Sequence, residues 1–202
     1  SGSNCTLLDI SSEVIEIAKK IFKQNNHEAN FVVGDVEKMN FKDNSFDIVF
    51  SIGLMEHFIN IEKSIEEQLR VLRKGGTLFL YVVPKYVNNI QSDYNWFNDI
   101  LKTFYSKESL IQKEKVYRSD DDSTKYIEFL SDKVNCVYSA GIYPLPMISP
   151  SIDFPFTLMN EQQEKILIEY FKKTLTSRES KYDDKWLCDE GFGQAFLVWA
   201  KK

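Results

Sequence analysis

The sequence predicts a doubly wound α/β fold with a mostly parallel sheet. Between residues 5 and 84, apolar runs typical of strands alternate with helical segments in the order strand, helix, strand, strand, helix, strand. This alternation is typical of a parallel sheet with helices packed on it. The run FDIVFS at 46–51 is too uniformly apolar to be half exposed, so we expect that strand to be buried on both faces.

The first three elements follow from capping and spacing. CTLLDI at 5–10 predicts a strand, and Ser11 or Ser12 provides an N-cap for the helix that follows. The apolar residues of that helix recur at helical spacing and form one face: Val14, Ile17, Ala18 and Ile21. NFVVG at 30–34 predicts the second strand, which closes on Asp35.

The next helix is predicted from about Ile61 to Leu72. Lys74-Gly75-Gly76 ends it, because one glycine suits the left-handed position after a helix. TLFLYVV at 77–83 predicts a fourth, buried strand. Beyond Pro84 we expect helical stripes at 96–104 and 126–130, a strand at 134–142, an irregular proline-rich loop at 144–155, a helix at 161–175 and a last strand at 194–200.

Composition limits the classes of partner. The chain has 202 residues, 43% hydrophobic and 27% charged, which fits one globular domain. A net charge of −5 argues against a broad basic surface, so we expect no nucleic-acid partner and no membrane. No apolar run approaches the roughly 20 residues that cross a bilayer, and no signal peptide is evident.

The cysteines and histidines are too few for several kinds of site. Cys5, Cys136 and Cys188 lie far apart, which predicts free thiols in a reducing, cytoplasmic compartment and no metal site. His27 and His57 are the only histidines, which excludes catalysis by a set of histidines. The acidic run at 120–122 is interpreted as a solvated turn, with a metal site as the weaker alternative.

Acidic side chains fall where the strands of an open parallel sheet bind ligands, beyond their carboxyl ends. Asp9 ends the first predicted strand, Asp35 the second and Ser51 the third. An ionised carboxylate only accepts hydrogen bonds, so the pair suits a ligand rich in donors: a ribose diol at Asp9 and an exocyclic amine at Asp35. The alternatives are a helix cap at Asp9, an Asx-turn at Asp35 and merely a small residue at Ser51. Asp47 opens its strand and is interpreted as structural.

Three segments together resemble a known family. LLDISSEVIEIAKK, FVVGDVEKMNFKDNSFDIVFSIGLMEHF and RVLRKGGTLFLYVV, in that order, resemble the second to fifth strands of the class I S-adenosylmethionine-dependent methyltransferases of the small-molecule type. The resemblance covers residues 5–84, and QAFLVWAKK resembles the antiparallel last strand of that Rossmann-like fold. It implies S-adenosyl-L-methionine as the cofactor and a small-molecule methyl acceptor as the partner.

The resemblance also implies roles for residues near the first two strands. Asp9 would accept the ribose hydroxyls of the cofactor, and Ile10 would pack beside the adenosine. Asp35 would accept from the adenine amino group, while the backbone N–H of Val36 would meet the ring.

After the third strand, Ser51 and Ile52 would line the methionine part of the cofactor. Glu56 and His57 would lie near the acceptor. His57 is the candidate general base, because an ordinary histidine titrates near neutral pH. The alternative is a histidine held by the backbone, with methyl transfer relying on orientation alone.

One part of the family pattern has no counterpart in the sequence. The family's first strand and its glycine-rich loop should precede Asp9, and Ser1-Gly2-Ser3 is too short to supply them. In the family that strand lies between those ending in Asp9 and Ser51, so its absence would leave both neighbours with unpaired backbone groups. We therefore expect the sequence to be part of a longer chain.

We predict one methyltransferase domain over 1–202, with a cofactor-binding core at 5–84 and a substrate-side insert and loop at 85–133 and 143–160. The predicted function is methyl transfer from S-adenosylmethionine to a small molecule. Two alternatives stay open: a degenerate methyltransferase fold that acts as a binding or regulatory partner, and a nicotinamide-dependent oxidoreductase, which shares the acid at a strand end.

Overall fold

A computed structural model describes residues 2–85, 117–142 and 186–202, with isolated positions between 162 and 184. The elements in these segments follow one another as β1 (Thr6–Asp9), α1 (Ser12–Gln24), β2 (Asn30–Val33), β3 (Phe46–Ile52), α2 (Glu62–Val71), β4 (Leu72–Val82), α3 (Ser123–Leu130), β5 (Cys136–Ile142), β6 (Leu187–Cys188) and β7 (Ala195–Lys201). Single turns of 3₁₀ helix occur at Val36–Lys38, Met55–His57 and Glu190–Phe192.

Three sequence predictions fall wholly or mostly on other residues. The aromatic stripe at 96–104 and the proline-rich loop at 144–155 lie outside the described residues. Of the helix predicted at 161–175, positions 162, 165, 166, 169 and 173 are described, and all five are helical.

Strands β1 and β2 pair in parallel, from Thr6 opposite Asn30 to Asp9 opposite Val33. Between them, α1 begins where the sequence predicts, because the Ser11 hydroxyl accepts a hydrogen bond from the Val14 N–H at 3.3 Å. The burial of α1 differs from expectation. Ile15 is buried, whereas the predicted apolar face is about half exposed at Val14, Ile17 and Ile21.

A second sheet has the strand order β3-β4-β7-β5-β6. Strands β3 and β4 are parallel, since the Ser45 N–H donates to the Val71 carbonyl near their start and the Gly53 N–H to the Tyr81 carbonyl near their end. Strand β7 is antiparallel to β5, from Cys136 opposite Lys201 to Ile142 opposite Ala195. The predicted fold class, a Rossmann-like α/β fold with an antiparallel last strand, is therefore confirmed.

Strands β1 and β3 each lie at an edge of their sheet. Within the described part of the chain, β1 pairs only with β2, and β3 pairs only with β4. These are the two strands between which the family resemblance places an additional strand.

Strand β3 is not buried on both faces as predicted. Ile48, Phe50 and Ile52 alternate along one face and are 56%, 61% and 62% exposed. No described helix covers this face. The run therefore has the apolar composition of a buried strand, although one of its faces is exposed.

The predicted glycine stop of α2 is also wrong. The helix ends at Val71 because Leu72 is already extended, with φ −74° and ψ 130°, and the chain enters β4 directly. Gly75 has a φ of +74°, but it lies within β4. At Gly76, a Cβ atom would lie 2.6 Å from the Leu72 Cδ1 and 2.9 Å from the Asp47 carbonyl oxygen, so only glycine fits.

The chain divides into two compact units. The first comprises residues 1–49, 60–78 and 202, and the second comprises residues 50–59 and 79–201. Among the described residues, no helix is both long and apolar enough to span a bilayer.

Candidate functional site

In the first unit, Asp9 lies at the carboxyl end of β1 and begins the turn into α1. Its Oδ1 atom accepts a hydrogen bond from the Ser11 N–H at 2.8 Å. The capping interaction proposed as the alternative role is thus present. It occupies one carboxylate oxygen, and Oδ2 has no hydrogen-bond partner among the residues described. Ile10, the next residue, is 74% exposed and offers an apolar surface beside the carboxylate.

Asp35 lies two residues beyond the end of β2. Its Oδ1 atom accepts from the Glu37 N–H at 2.8 Å and caps the 3₁₀ turn Val36–Lys38. The Asx-turn alternative is therefore also present, and here too Oδ2 is without a partner in the described segments. The N–H of Val36 makes no hydrogen bond to any described residue.

Parallel pairing brings these two positions together at one edge of the β1–β2 sheet. The Gly34 N–H donates to the Asp9 carbonyl at 2.9 Å, which fixes the chain just before Asp35 beside the end of β1. The edge thus presents two partly exposed carboxylates, each with one oxygen oriented by the backbone and one available. Such an arrangement can accept hydrogen bonds from hydroxyl and amino groups.

The loop after Asp35 is held by Arg70 of α2. Its Nη2 atom donates to the Met39 carbonyl at 2.8 Å and its Nη1 to the Phe41 carbonyl at 2.7 Å, and it forms a two-point contact with Glu67. The guanidinium of Arg70 lowers the pKa of the Glu67 carboxyl. In the sequence this arginine is recognisable only as part of the motif RVLRKGG, which does not indicate its role in fixing the loop.

In the second unit, Ser51 and Ile52 end β3 with opposite environments. Ser51 is buried, and its hydroxyl has no partner in the described part of the chain. Ile52 is 62% exposed. The structure therefore places both residues at the carboxyl end of a parallel strand, and their contribution to a cofactor site stays a prediction.

The candidate base His57 is exposed. Its Nδ1 lies 2.6 Å from the Tyr117 carbonyl oxygen, to which a protonated Nδ1 donates. The histidine is thus fixed by the backbone, as the alternative interpretation expected, while Nε2 remains available to accept a proton.

The neighbouring Glu56 is buried, which the sequence did not predict. It is only 3% exposed, and burial raises the pKa of its carboxyl, although the backbone N–H of Val83 and the charges of His57 and Arg118 oppose that shift. Arg118 also donates to the Val83 and Pro84 carbonyls at the end of β4. Glu56 and His57 are adjacent in the sequence, and no local pattern indicates which of the two is buried.

Two residues of the acidic run at 120–122 have structural partners. Asp121 pairs with Lys125 at 2.7 Å, and Asp122 caps α3 by accepting from the Thr124 N–H at 2.9 Å. No group of three candidate metal ligands occurs among the described residues.

A surface cavity of about 600 Å³ lies at the amino edge of β2, opposite the edge that carries Asp9 and Asp35, and is lined by Lys19, Phe22, Lys23, Asn26, His27, Glu28, Ala29 and Phe31.

The part of the chain that contains Asp9 and Asp35 is similar to known proteins. Residues 1–80 match the family model described as "Methyltransferase domain". The chain is 36% identical over 78 residues to ajmaline N-methyltransferase of Rauvolfia serpentina, covering 38% of this chain and 27% of that protein. It is 28% identical over 130 residues to the ubiquinone/menaquinone biosynthesis C-methyltransferase UbiE of Zymomonas mobilis, covering 62% of this chain and 50% of that protein. The chain thus spans half or less of the length of these two relatives.

The fold is similar to that of a solved bacterial protein. Superposition on the YcgJ protein of Bacillus subtilis gives a TM-score of 0.55 with 18% sequence identity, and covers 98% of this chain and 82% of the other. At this identity the similarity concerns the fold.

Proposed function

We propose that the chain is a class I S-adenosylmethionine-dependent methyltransferase and that it transfers a methyl group from S-adenosyl-L-methionine to a small-molecule acceptor, as the family match over residues 1–80 supports. The observation that carries the proposal is the pair of acids, Asp9 and Asp35, at one edge of two adjacent parallel strands. The cofactor would supply the electrophilic methyl group. The residues described here would bind and orient it.

The side chains at that edge fit an adenosyl group. The available oxygen of Asp9 would accept from the ribose hydroxyls, and the exposed Ile10 would cover one side of the adenosine. Asp35 would accept from the adenine amino group, while the N–H of Val36, which has no partner among the described residues, would donate to the ring. Ser51 and Ile52 would contact the methionine part.

His57 is proposed as a base near the acceptor. Its support is the geometry of the imidazole, because the Tyr117 carbonyl directs the proton to Nδ1 and leaves Nε2 as an acceptor. The named relatives methylate nitrogen in one case and carbon in the other, so the proposal covers small molecules without choosing the atom.

Calorimetric titration of the complete protein with S-adenosylhomocysteine tests the function. We expect measurable binding that weakens about tenfold or more in Asp9→Asn and in Asp35→Asn, because hydrogen bonds to a charged group contribute about 1.5–3 kcal/mol each. Asp47→Asn is the matched control, since Asp47 opens β3 and pairs with the exposed Arg73. Absence of binding to the unsubstituted protein would reject methyl transfer, and equal affinity in all three variants would reject the assigned residues.

We also propose a cytoplasmic location with no nucleic-acid partner. It is supported by three free cysteines, Cys5, Cys136 and Cys188, and by the net charge of −5. Fractionation of cells that express the complete protein would test the location, and recovery outside the cytoplasm would contradict it.

A further inference from the structure

The second unit contains a buried carboxylate at the carboxyl ends of two parallel strands. Glu56 lies in the 3₁₀ turn that follows β3, and its carboxylate accepts from its own N–H and from the N–H of Val83, just beyond β4. Glu56 is only 3% exposed, yet its Oε2 atom has no hydrogen-bond partner in the described segments.

Two tyrosines lie near this turn, since the Gly53 N–H donates to the Tyr81 carbonyl at 3.0 Å and Lys125, the residue before Tyr126, donates to the Ile59 carbonyl at 3.2 Å. Tyr126 of α3 is fully buried and Tyr81 of β4 is 8% exposed. Burial raises the pKa of both phenols. The negative charge of Glu56 raises both further, as does that of Asp121 for Tyr126, while a hydrogen bond to Gln194 opposes the rise for Tyr81. Both tyrosines therefore stay protonated and keep a hydroxyl that can donate or accept.

The polar surroundings of Glu56 are incompletely satisfied. The Tyr126 hydroxyl has no hydrogen-bond partner among the described residues, and neither has the hydroxyl of Ser119. Ser119 is itself adjacent to Glu56, because its N–H donates to the Glu56 carbonyl at 2.8 Å. Buried polar atoms without partners are rare in native proteins, so a group that bound here and restored these hydrogen bonds would be stabilised.

The chemistry of the cluster selects the bound group. An ionised carboxylate can only accept, so the group must donate to Oε2. An anion would be repelled by Glu56. A hydroxyl or an amine satisfies the carboxylate by donation and can also accept from, or donate to, the Tyr126 hydroxyl.

We propose that Glu56, Tyr126 and Tyr81 form a binding site for the hydroxyl or amino group of the methyl acceptor. The inference rests on the proposed function, which supplies the acceptor, and on the position of Glu56 beyond β3 and β4, where open α/β sheets bind ligands. In this arrangement Oε2 of Glu56 accepts a hydrogen bond from the acceptor, and the Tyr126 hydroxyl contacts the same heteroatom.

The test uses the complete protein with ¹³C-labelled glutamate carboxyls, saturated with S-adenosylhomocysteine. The probes are methanol and methylammonium, which carry donors, and tetramethylammonium, which has the charge of methylammonium but no N–H. The signal of Glu56 is assigned by its loss in Glu56→Gln. We expect it to shift saturably with at least one donor probe and not with tetramethylammonium.

Two variants sharpen the result. Tyr126→Phe should weaken the responding probe about two- to tenfold, the range of a neutral hydrogen bond. Tyr138→Phe, on an exposed part of β5, should leave it unchanged. A Glu56 signal that no donor probe shifts, or that tetramethylammonium shifts equally, would overturn the inference. Failure of S-adenosylhomocysteine to bind would instead reject the proposed function, so the two failures are distinguishable.

Discussion

Replacing Glu56 with glutamine is expected to stabilise the free protein, and the gain should depend on pH. Glu56 is buried, and one of its carboxylate oxygens lacks a partner in the described structure. An unsatisfied buried polar atom costs about 1–3 kcal/mol, and a charged one costs more. Glutamine has nearly the same shape and carries no charge. We therefore expect Glu56→Gln to raise the free energy of unfolding by about 1–3 kcal/mol at about pH 8.

The sign of the pH dependence follows from the raised pKa. Burial holds the folded pKa of Glu56 above the ordinary value of 4.5, against the opposing charges of His57 and Arg118, while the phenols of Tyr81 and Tyr126 remain neutral. As pH rises from the unfolded pKa through the folded one, the native state binds more protons than the unfolded state, so stability falls. Glu56→Gln removes this dependence, and its gain should be small near pH 4 and full above the folded pKa.

Urea unfolding at several pH values between about 4 and 8 measures the effect. Glu128→Gln is the matched control, because Glu128 is exposed on α3 and its substitution should change stability by no more than about 0.5 kcal/mol. A destabilised Glu56→Gln protein, or a gain that is the same at every pH, would refute the reasoning that Glu56 is a buried group lacking a partner.

Three further substitutions test the fold, each by urea unfolding. Gly76→Ala should lower the free energy of unfolding by about 1–3 kcal/mol, because the added methyl group would overlap the Leu72 side chain and nearby carbonyl oxygens. Gly191→Ala is the control and should be near neutral, because an added Cβ there has no atom within 4 Å. Equal effects of the two substitutions would contradict the close approach at Gly76. Leu80→Ala should cost about 2–5 kcal/mol, since this β4 side chain is fully buried, and a smaller loss would mean that the core collapses around the gap. Arg70→Met should lower the urea midpoint more than Arg73→Met, because Arg70 binds two loop carbonyls whereas Arg73, among the residues described, has only an exposed ion pair. The reverse order would show that the loop does not depend on Arg70.

Local patterns were enough to predict most elements of the fold. The N-cap at Ser11 was predicted because capping involves only neighbouring residues, and the structure has it. The strand, helix, strand alternation to β4 was also predicted correctly, whereas the antiparallel direction of the last strand was predicted from the family resemblance. The end of α2 was predicted to within one residue, but its cause was not, because two adjacent glycines are compatible both with a helix stop and with a close approach inside a strand. Packing of Gly76 against Leu72 selects the second.

The predictions about burial fared less well. A continuous apolar run predicts a strand covered on both faces, but coverage depends on which other segments lie over it. Phe50 of β3 is therefore exposed despite its apolar neighbours. The same limit applies to α1, where Ile15 rather than the predicted face is buried.

For the candidate site, the sequence by itself determined which residues end the parallel strands. Asp9 and Asp35 were identified because a strand's carboxyl end can be read from the chain alone, and parallel pairing then places adjacent ends on one edge. Only the tertiary structure decided that Glu56 is buried and His57 exposed. Those two residues are neighbours in the sequence, and the difference between them arises from contacts with β4, α3 and the segment around Arg118, all distant along the chain. Solvation and charge depend on such distant contacts, which no local pattern records.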